Sequence, residues 1–295
     1  MGRRYVTVDV FTDRAFGGNP LAVVLDAAGL DTQTMQRVAR EFGYSETTFV
    51  LPPADPAHHA CVRIFTPEQE LPFAGHPNVG TAFVLAREWA GRGEALPEQF
   101  LFEEAAGLVP VRPWLADGRL CGAELTAPIR FERGETIESA TIARILRLPE
   151  QAVLADPHPP LVGSAGLPFL LVRLRDTEAV DAASVDEALL ADLLGHHATR
   201  NLYLYARIGA DRVHARMLAP LDGIGEDPAT GSAAAALGGL LGALDGAADF
   251  TIAQGVQMGR PSEIRVSVSE GGAIRVGGAC VTMMQGELLI REPGD

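Results

Sequence analysis

Gly75-His76-Pro77-Asn78-Val79-Gly80-Thr81-Ala82 and Glu226-Asp227-Pro228-Ala229-Thr230-Gly231-Ser232-Ala233 share one pattern, with proline, glycine and alanine in matching places. Thr81 falls on Ser232 and His76 on Asp227, so the offset from 76 to 227 is 151 residues, about half of the 295-residue chain. An apolar stretch follows each copy. A repeat at half the chain length predicts two similar lobes. The length agrees, since two lobes of roughly 100–150 residues suit such a chain better than one core.

Glycine with serine or threonine at a helix start leaves backbone N–H groups unpaired, and a hydroxyl adds a donor. With the positive end of the helix dipole, this makes an anion site. Alone, either copy reads as a capped turn with proline near the first helical position. As a matched pair they predict one small molecule held between two helix starts, with His76 and Asp227 at the lips.

Outward from the repeat, the chain alternates short strands and helices. Arg4–Val10 has a period of two, and Gly17-Gly18-Asn19-Pro20 is turn chemistry before a buried strand, Leu21–Leu25;. Met35, Val38, Ala39 and Phe42 line one face of a helix over Thr32–Phe42, which Gly43 stops;. Strands are expected at 47–51 and 60–65, and a second helix near Thr81–Trp89. The region from Pro110 to Pro128 reads as a crossing between lobes. Beyond it the same grammar restarts: helices at 141–148 and 185–194, strands at 167–174, 201–207 and 213–218, a small-residue helix from about Gly231, and strands at 263–268 and 273–276. One helix per several short strands predicts α+β lobes rather than a doubly wound parallel sheet. The lobes are expected at 1–118, completed by a C-terminal strand at about 280–295, and at 119–279.

Thirty-eight acidic residues against 24 basic ones give a formal charge of −14, which repels phosphate backbones and argues against nucleic-acid binding;. No apolar run of 18 residues offers a membrane span, and the N-terminus has no signal-peptide core. Three widely spaced cysteines, Cys61, Cys121 and Cys280, suggest neither a disulfide framework nor a zinc site, which favours a reducing cytoplasm;. The doublets His58-His59 and His196-His197 read as solvated loop or helix-end residues, since adjacent side chains rarely converge on one ion. Tyr203 and Tyr205 share a strand face and read as packing. No P-loop, GxGxxG or GxSxG motif is present. From position alone Glu46, just past the first helix, is an ordinary solvated carboxylate.

Its role comes from a resemblance. Asp9-Val10-Phe11, Gly18-Asn19-Pro20-Leu21-Ala22-Val23, Ser45-Glu46-Thr47, Phe73-Ala74-Gly75-His76-Pro77, Gly166-Leu167-Pro168-Phe169, the 226–233 segment, and Gln254-Gly255 with Met258-Gly259-Arg260-Pro261-Ser262 run in the order found in the PhzF family, whose fold is related to that of diaminopimelate epimerase. The resemblance implies two pseudo-symmetric lobes, each a curved, mostly antiparallel sheet around a central helix, with the active site in the cleft between them, and a homodimer. It implies a cofactor-independent isomerase, metal-free, that shifts a proton within a small cyclic amino or hydroxy carboxylate. Candidates are a dihydro-hydroxyanthranilate or a pyrroline or diene carboxylate. Glu46 then stands in the place of the acid/base, with His76 and Asp227 orienting the substrate as its catalytic partners. Asn19, Gly75, Gly80, Thr81, Gly231 and Ser232 are the expected substrate-binding set. The epimerase relatives carry a cysteine in each half of the repeat; none of the three cysteines lies in either motif, so two-thiol racemisation is disfavoured. A racemase or epimerase of the same fold and a non-catalytic binding protein remain the alternatives.

Overall fold

The computed structural model describes residues 2–195, 197 and 199–290. The chain divides into two compact units, the described residues of Met1–Thr126 with Gly277–Asp295, and Ala127–Val276. The boundaries differ from the expected 118/119 and 279/280. The 110–128 segment is no connector: β7 (Gly107–Ala116) and β8 (Arg119–Thr126) pair along it, Val111 opposite Leu125, so the first unit ends only after β8.

Unit 1 starts with β1 (Arg3–Val10), β2 (Asn19–Val24), α1 (Thr32–Phe42), β3 (Glu46–Leu51), β4 (Ala60–Phe65) and β5 (Glu70–Leu71). It continues with α2 (Gly75–Gly91), β6 (Phe100–Glu104), β7 and β8. In α1 the Asp31 side chain accepts the Thr34 N–H at 2.7 Å, and Gly43 ends the helix in the left-handed region at φ 65°;. Met35, Val38 and Ala39 turn inward onto Val24, Phe49 and Phe65. Pairing runs antiparallel β1–β2, parallel β2–β3, antiparallel β3–β4 and β4–β5, parallel β4–β6, then antiparallel β6–β7 and β7–β8. The central helix α2 packs on β1, β2, β3, β7 and β8, strands from both ends of that ladder, so the sheet wraps it.

Unit 2 contains β9 (Glu132–Thr136), α3 (Ser139–Ile145), β10 (Leu161–Ser164), β11 (Pro168–Arg173), α4 (Thr177–Ala182), α5 (Glu187–Leu194) and β12 (Leu202–Arg207). Then come β13 (Arg212–Ala219), β14 (Ile224–Asp227), α6 (Gly231–Asp245), β15 (Ala248–Gln254), β16 (Ser262–Val268) and the start of β17 (Ile274–Leu288). Its ladder repeats the first: antiparallel β10–β11, parallel β11–β12, antiparallel β12–β13 and β13–β14, parallel β13–β15, antiparallel β15–β16. The helix α6 packs on β10, β11, β15 and β16. The far part of β17 belongs to unit 1, where it pairs with β1. The expected strands at 273–276 and at about 280–295 are thus one strand, which runs through Gly277-Gly278. No helix among the described residues is long and apolar enough to cross a membrane.

The two ladders fix which residues correspond. Thr48 faces Ile64, which faces Leu71; Tyr203 faces Met217, which faces Asp227. Arg63 grips Glu70 with two hydrogen bonds of 2.7 Å each, and Arg216 grips Glu226 at 2.9 and 2.8 Å through the same atoms. Thus Glu70 corresponds to Glu226, Pro72 to Pro228 and Gly75 to Gly231, an offset of 156 rather than 151. His76 therefore matches Ser232, and Asp227 matches Leu71. The sequence pattern slipped by five residues because α2 begins at Gly75 and not near Thr81. Pro77 lies in its first turn, where a missing N–H costs no helical hydrogen bond.

Candidate functional site

Glu46 opens β3 alongside β2, opposite Leu21. The turn into β2 depends on Gly18, at φ +57°, where a Cβ would lie 2.1 Å from the Val10 carbonyl oxygen;. This sets Asn19 in the interior, fully buried. Asn19 Oδ1 accepts from Ser45 Oγ at 3.0 Å, and its Nδ2 meets His76 Nδ1 at 3.4 Å. An amide nitrogen only donates, so His76 Nδ1 is the acceptor and the ring proton is assigned to Nε2. His76 Nε2 stands 3.5 Å from Glu46 Oε2, with the two side chains 5% and 14% exposed. Burial pushes the His76 pKa down to about 3, so the imidazole is neutral near pH 7;. The contact sets a neutral imidazole beside a carboxyl group and is not an ion pair. Serine and asparagine thus hold the histidine ring next to Glu46.

His76 is the second residue of α2, whose N-cap, Ala74, has no side chain to satisfy the first-turn N–H groups;. Gly75 and His76 therefore present backbone donors and an imidazole together;.

In unit 2, Asp227 ends β14 in the interior, and Thr230 Oγ1 donates to its carboxylate. Gln254, fully buried, ties this corner together. Its Nε2 donates to the Asp227 carbonyl at 2.8 Å and to Thr230 Oγ1 at 2.9 Å; its Oε1 accepts from Tyr203 OH at 3.1 Å and from Thr230 N at 3.4 Å. Ser262 Oγ adds bonds to the carbonyls of Pro228 and Gln254, each 3.1 Å. The helix α6 starts at Gly231 with no side-chain cap, and Ser232 is its second residue.

Gly80 and Thr81 depart from expectation. Both lie inside α2, past its first turn, and are buried. Thr81 Oγ1 is bonded to Thr48 Oγ1 at 2.8 Å. A Cβ on Gly80 would meet Leu21 Cδ2 at 2.5 Å and Val10 Cγ2 at 2.8 Å. These two residues seat the helix on its sheet and do not offer donors to a ligand. What the sequence reading missed is the support: Ser45 behind Asn19, and Gln254, Thr230 and Tyr203 behind Asp227. The first three lie within the quoted motifs, which showed their presence but not their partners.

The histidine doublets are structural where described. His58 pairs with Glu103 at 2.8 Å, His59 Nδ1 accepts the Leu101 N–H at 3.0 Å, and His197 lies 2.8 Å from Glu135; His196 lies outside the described residues. Among the described residues no cluster of three or more His, Cys, Asp or Glu side chains is arranged to hold a metal.

A family model described as phenazine biosynthesis-like protein matches residues 8–286. The chain is 39% identical to an uncharacterized isomerase of Mesorhizobium japonicum, over 98% of this chain and 99% of that one. It is 34% identical to the trans-2,3-dihydro-3-hydroxyanthranilate isomerase of Pseudomonas aeruginosa, over 92% of each. A solved predicted epimerase from P. aeruginosa superposes with a TM-score of 0.80 at 36% identity, over 98% of this chain and all of the other.

Proposed function

Because the chain belongs to the phenazine biosynthesis-like (PhzC-PhzF) family and is an isomerase, we propose that it shifts a proton within a small cyclic amino or hydroxy carboxylate, without a cofactor, using Glu46 as the single proton carrier. The observation that carries this reading is the Ser45–Asn19–His76 chain, which holds a neutral imidazole 3.5 Å from a half-buried carboxyl group. Ionised, Glu46 accepts a proton from a substrate carbon; protonated, it returns that proton to another carbon of the same molecule. The double bond moves, no electrons leave, and Glu46 ends as it began. His76, unable to take the proton near neutral pH, steadies the carboxylate and polarises the substrate. The open starts of α2 and α6 supply N–H donors for the substrate carboxylate.

A substrate like trans-2,3-dihydro-3-hydroxyanthranilate, on which the Pseudomonas relative is named as acting, satisfies these needs. On this reading Asp227 and Ser232 also meet the substrate, and the working form is a cytoplasmic homodimer. Racemisation by two thiols has less support: Cys61, Cys121 and Cys280 sit on β4, β8 and β17, and burial raises the pKa of Cys61 and of Cys280;.

The test is NMR of candidate carboxylates in heavy water. Wild-type protein is expected to introduce solvent deuterium into the substrate, and Glu46→Gln to bind it but lose exchange by at least roughly a hundredfold, the scale of general acid–base catalysis. Undiminished exchange in Glu46→Gln would end this assignment.

A further inference from the structure

Glu104 closes β6 beneath the start of α2, and unit 2 shows what its equivalent does. Cys61 faces Glu103 across β4–β6, and His214 faces Ala253 across β13–β15. Arg63 and Arg216 being equivalent, so are Cys61 and His214, and Glu104 takes the place of Gln254. Gln254 holds the α6 corner through both ends of a neutral amide. Glu104 has no such partners. Ala74, in the place of Thr230, has no hydroxyl, and Thr48, in the place of Tyr203, is bonded to Thr81. Both carboxyl oxygens of Glu104 are buried without a hydrogen-bond partner, and so is Asn78 Oδ1. Asn78, its polar neighbour on α2, gives one Nδ2 hydrogen to the Ala74 carbonyl at 3.0 Å and keeps a second, the donor that opposes the upward shift of Glu104;. An ionised Glu104 can only accept from the second Nδ2 hydrogen and leaves Asn78 Oδ1 unmet; a protonated one supplies that oxygen with a donor;.

We propose that Glu104 is a positioning residue that works as a neutral acid, its O–H donating to Asn78 Oδ1 and so fixing the first turn of α2, which carries Gly75 and His76. It does for α2 what the Gln254 amide does for α6. Burial lifts the Glu104 pKa to about 8, with only Asn78 acting against the shift;. The charged and titratable groups around it are otherwise engaged. On β4, Arg63 is committed to Glu70 of β5, and the Cys61 thiol is itself raised by burial. On β6, Glu103 accepts from Ala54, Asp55 and His58, and on α2 His76 is neutral.

The experiment compares wild type with Glu104→Gln between about pH 6 and pH 10 by infrared spectroscopy of the carboxyl region, thermal unfolding and deuterium exchange into substrate. The wild type is expected to show a protonated-carboxyl band at about pH 6 that is missing from Glu104→Gln and fades with a midpoint near 8. Its Tm declines as pH rises from about 6 and levels off above about 8, a decline that the variant lacks. Its exchange rate falls roughly tenfold one unit above that midpoint, a loss from which the variant is spared. An absent band, or superimposable Tm curves, overturns the neutral acid. A Tm difference with identical pH–rate profiles overturns the positioning role. The activity arm rests on the proposed function, whereas the band and the Tm need no substrate, so the two failures are told apart. Should Glu104→Gln fold poorly, the wild-type band alone decides the protonation state.

Discussion

Replacing Gln254 with methionine keeps the side-chain volume close to its original value and removes all four of its hydrogen bonds. The residue is fully buried, so water cannot restore them. Tyr203, also fully buried, loses the acceptor of its hydroxyl, and the Asp227 carbonyl loses the donor at 2.8 Å. Thr230 Oγ1 keeps its bond to the Asp227 carboxylate. Tyr203 OH and Thr230 N both lose their acceptor, and at about 1–3 kcal/mol for each orphaned buried group the variant is less stable by roughly 2–6 kcal/mol. That is a large part of the roughly 5–15 kcal/mol that holds a typical domain together. Urea unfolding measures it as a lowered midpoint. The cause is isolated by Tyr203→Phe. In the wild type this change leaves Gln254 Oε1 with only the 3.4 Å contact to Thr230 N, costing about 1 kcal/mol;. In Gln254→Met it deletes a hydroxyl already stranded and returns about 1–2 kcal/mol. The double-mutant cycle should therefore show a coupling of about 2–3 kcal/mol. A coupling below about 0.5 kcal/mol would refute the view that this network holds the Asp227 corner.

Gly80→Ala gains about 1 kcal/mol of helix propensity but forces a methyl against Leu21 and Val10, an overpacking cost of about 1–3 kcal/mol;. Tm should fall by a few degrees with KM unchanged, and an unchanged Tm with a raised KM would return Gly80 to the binding set. His76, held near 3 in the fold against 6.5 in the unfolded chain, leaves the native state short of a proton as pH falls. Stability is therefore lost progressively as pH drops from about 6.5 toward 3, by up to roughly 4–5 kcal/mol. His76→Asn should lack that part of the acid sensitivity, and an imidazole that titrates near 6 by NMR would contradict the assignment.

Much of the fold could be read from the residues because its signals are local. The first helix announces itself through Met35, Val38 and Ala39, and Gly43 ends it where the pattern says. The repeat pointed to two similar units, since proline and glycine recur wherever a strand feeds a central helix. Its register was misread because the 75–82 and 226–233 segments match in proline, glycine and alanine, whereas the equivalence of Glu70 with Glu226 shows only in their arginine partners on β4 and β13. For the same reason Gly80 and Thr81 looked like ligand donors when they are helix-seating residues. Glu46 was invisible by periodicity: nothing local marks a carboxylate whose significance is a histidine thirty residues away, turned by an asparagine from another strand. Glu104 was missed altogether, since its meaning depends on a partner strand that no short pattern reveals.

The correspondence between units also bears on the choice between isomerase and racemase. Two steps before Thr48 and Tyr203 along equivalent strands stand Glu46 and Asn201. Each ionisable group at the start of α2 has a neutral counterpart at α6: Glu46 against Asn201, His76 against Ser232, Glu104 against Gln254. The exception is Asp227 against Leu71, a carboxylate that accepts from Thr230 Oγ1. Racemisation through two bases needs a proton carrier in each unit, one for either face of the substrate. Duplication of one ladder would have supplied such a pair had both copies kept an acid. Here the second copy has, besides Asp227, amides and a hydroxyl, groups that bind and orient but do not exchange protons near neutral pH. Under the proposed function, Glu46 therefore returns the proton it takes up to another carbon of the same molecule.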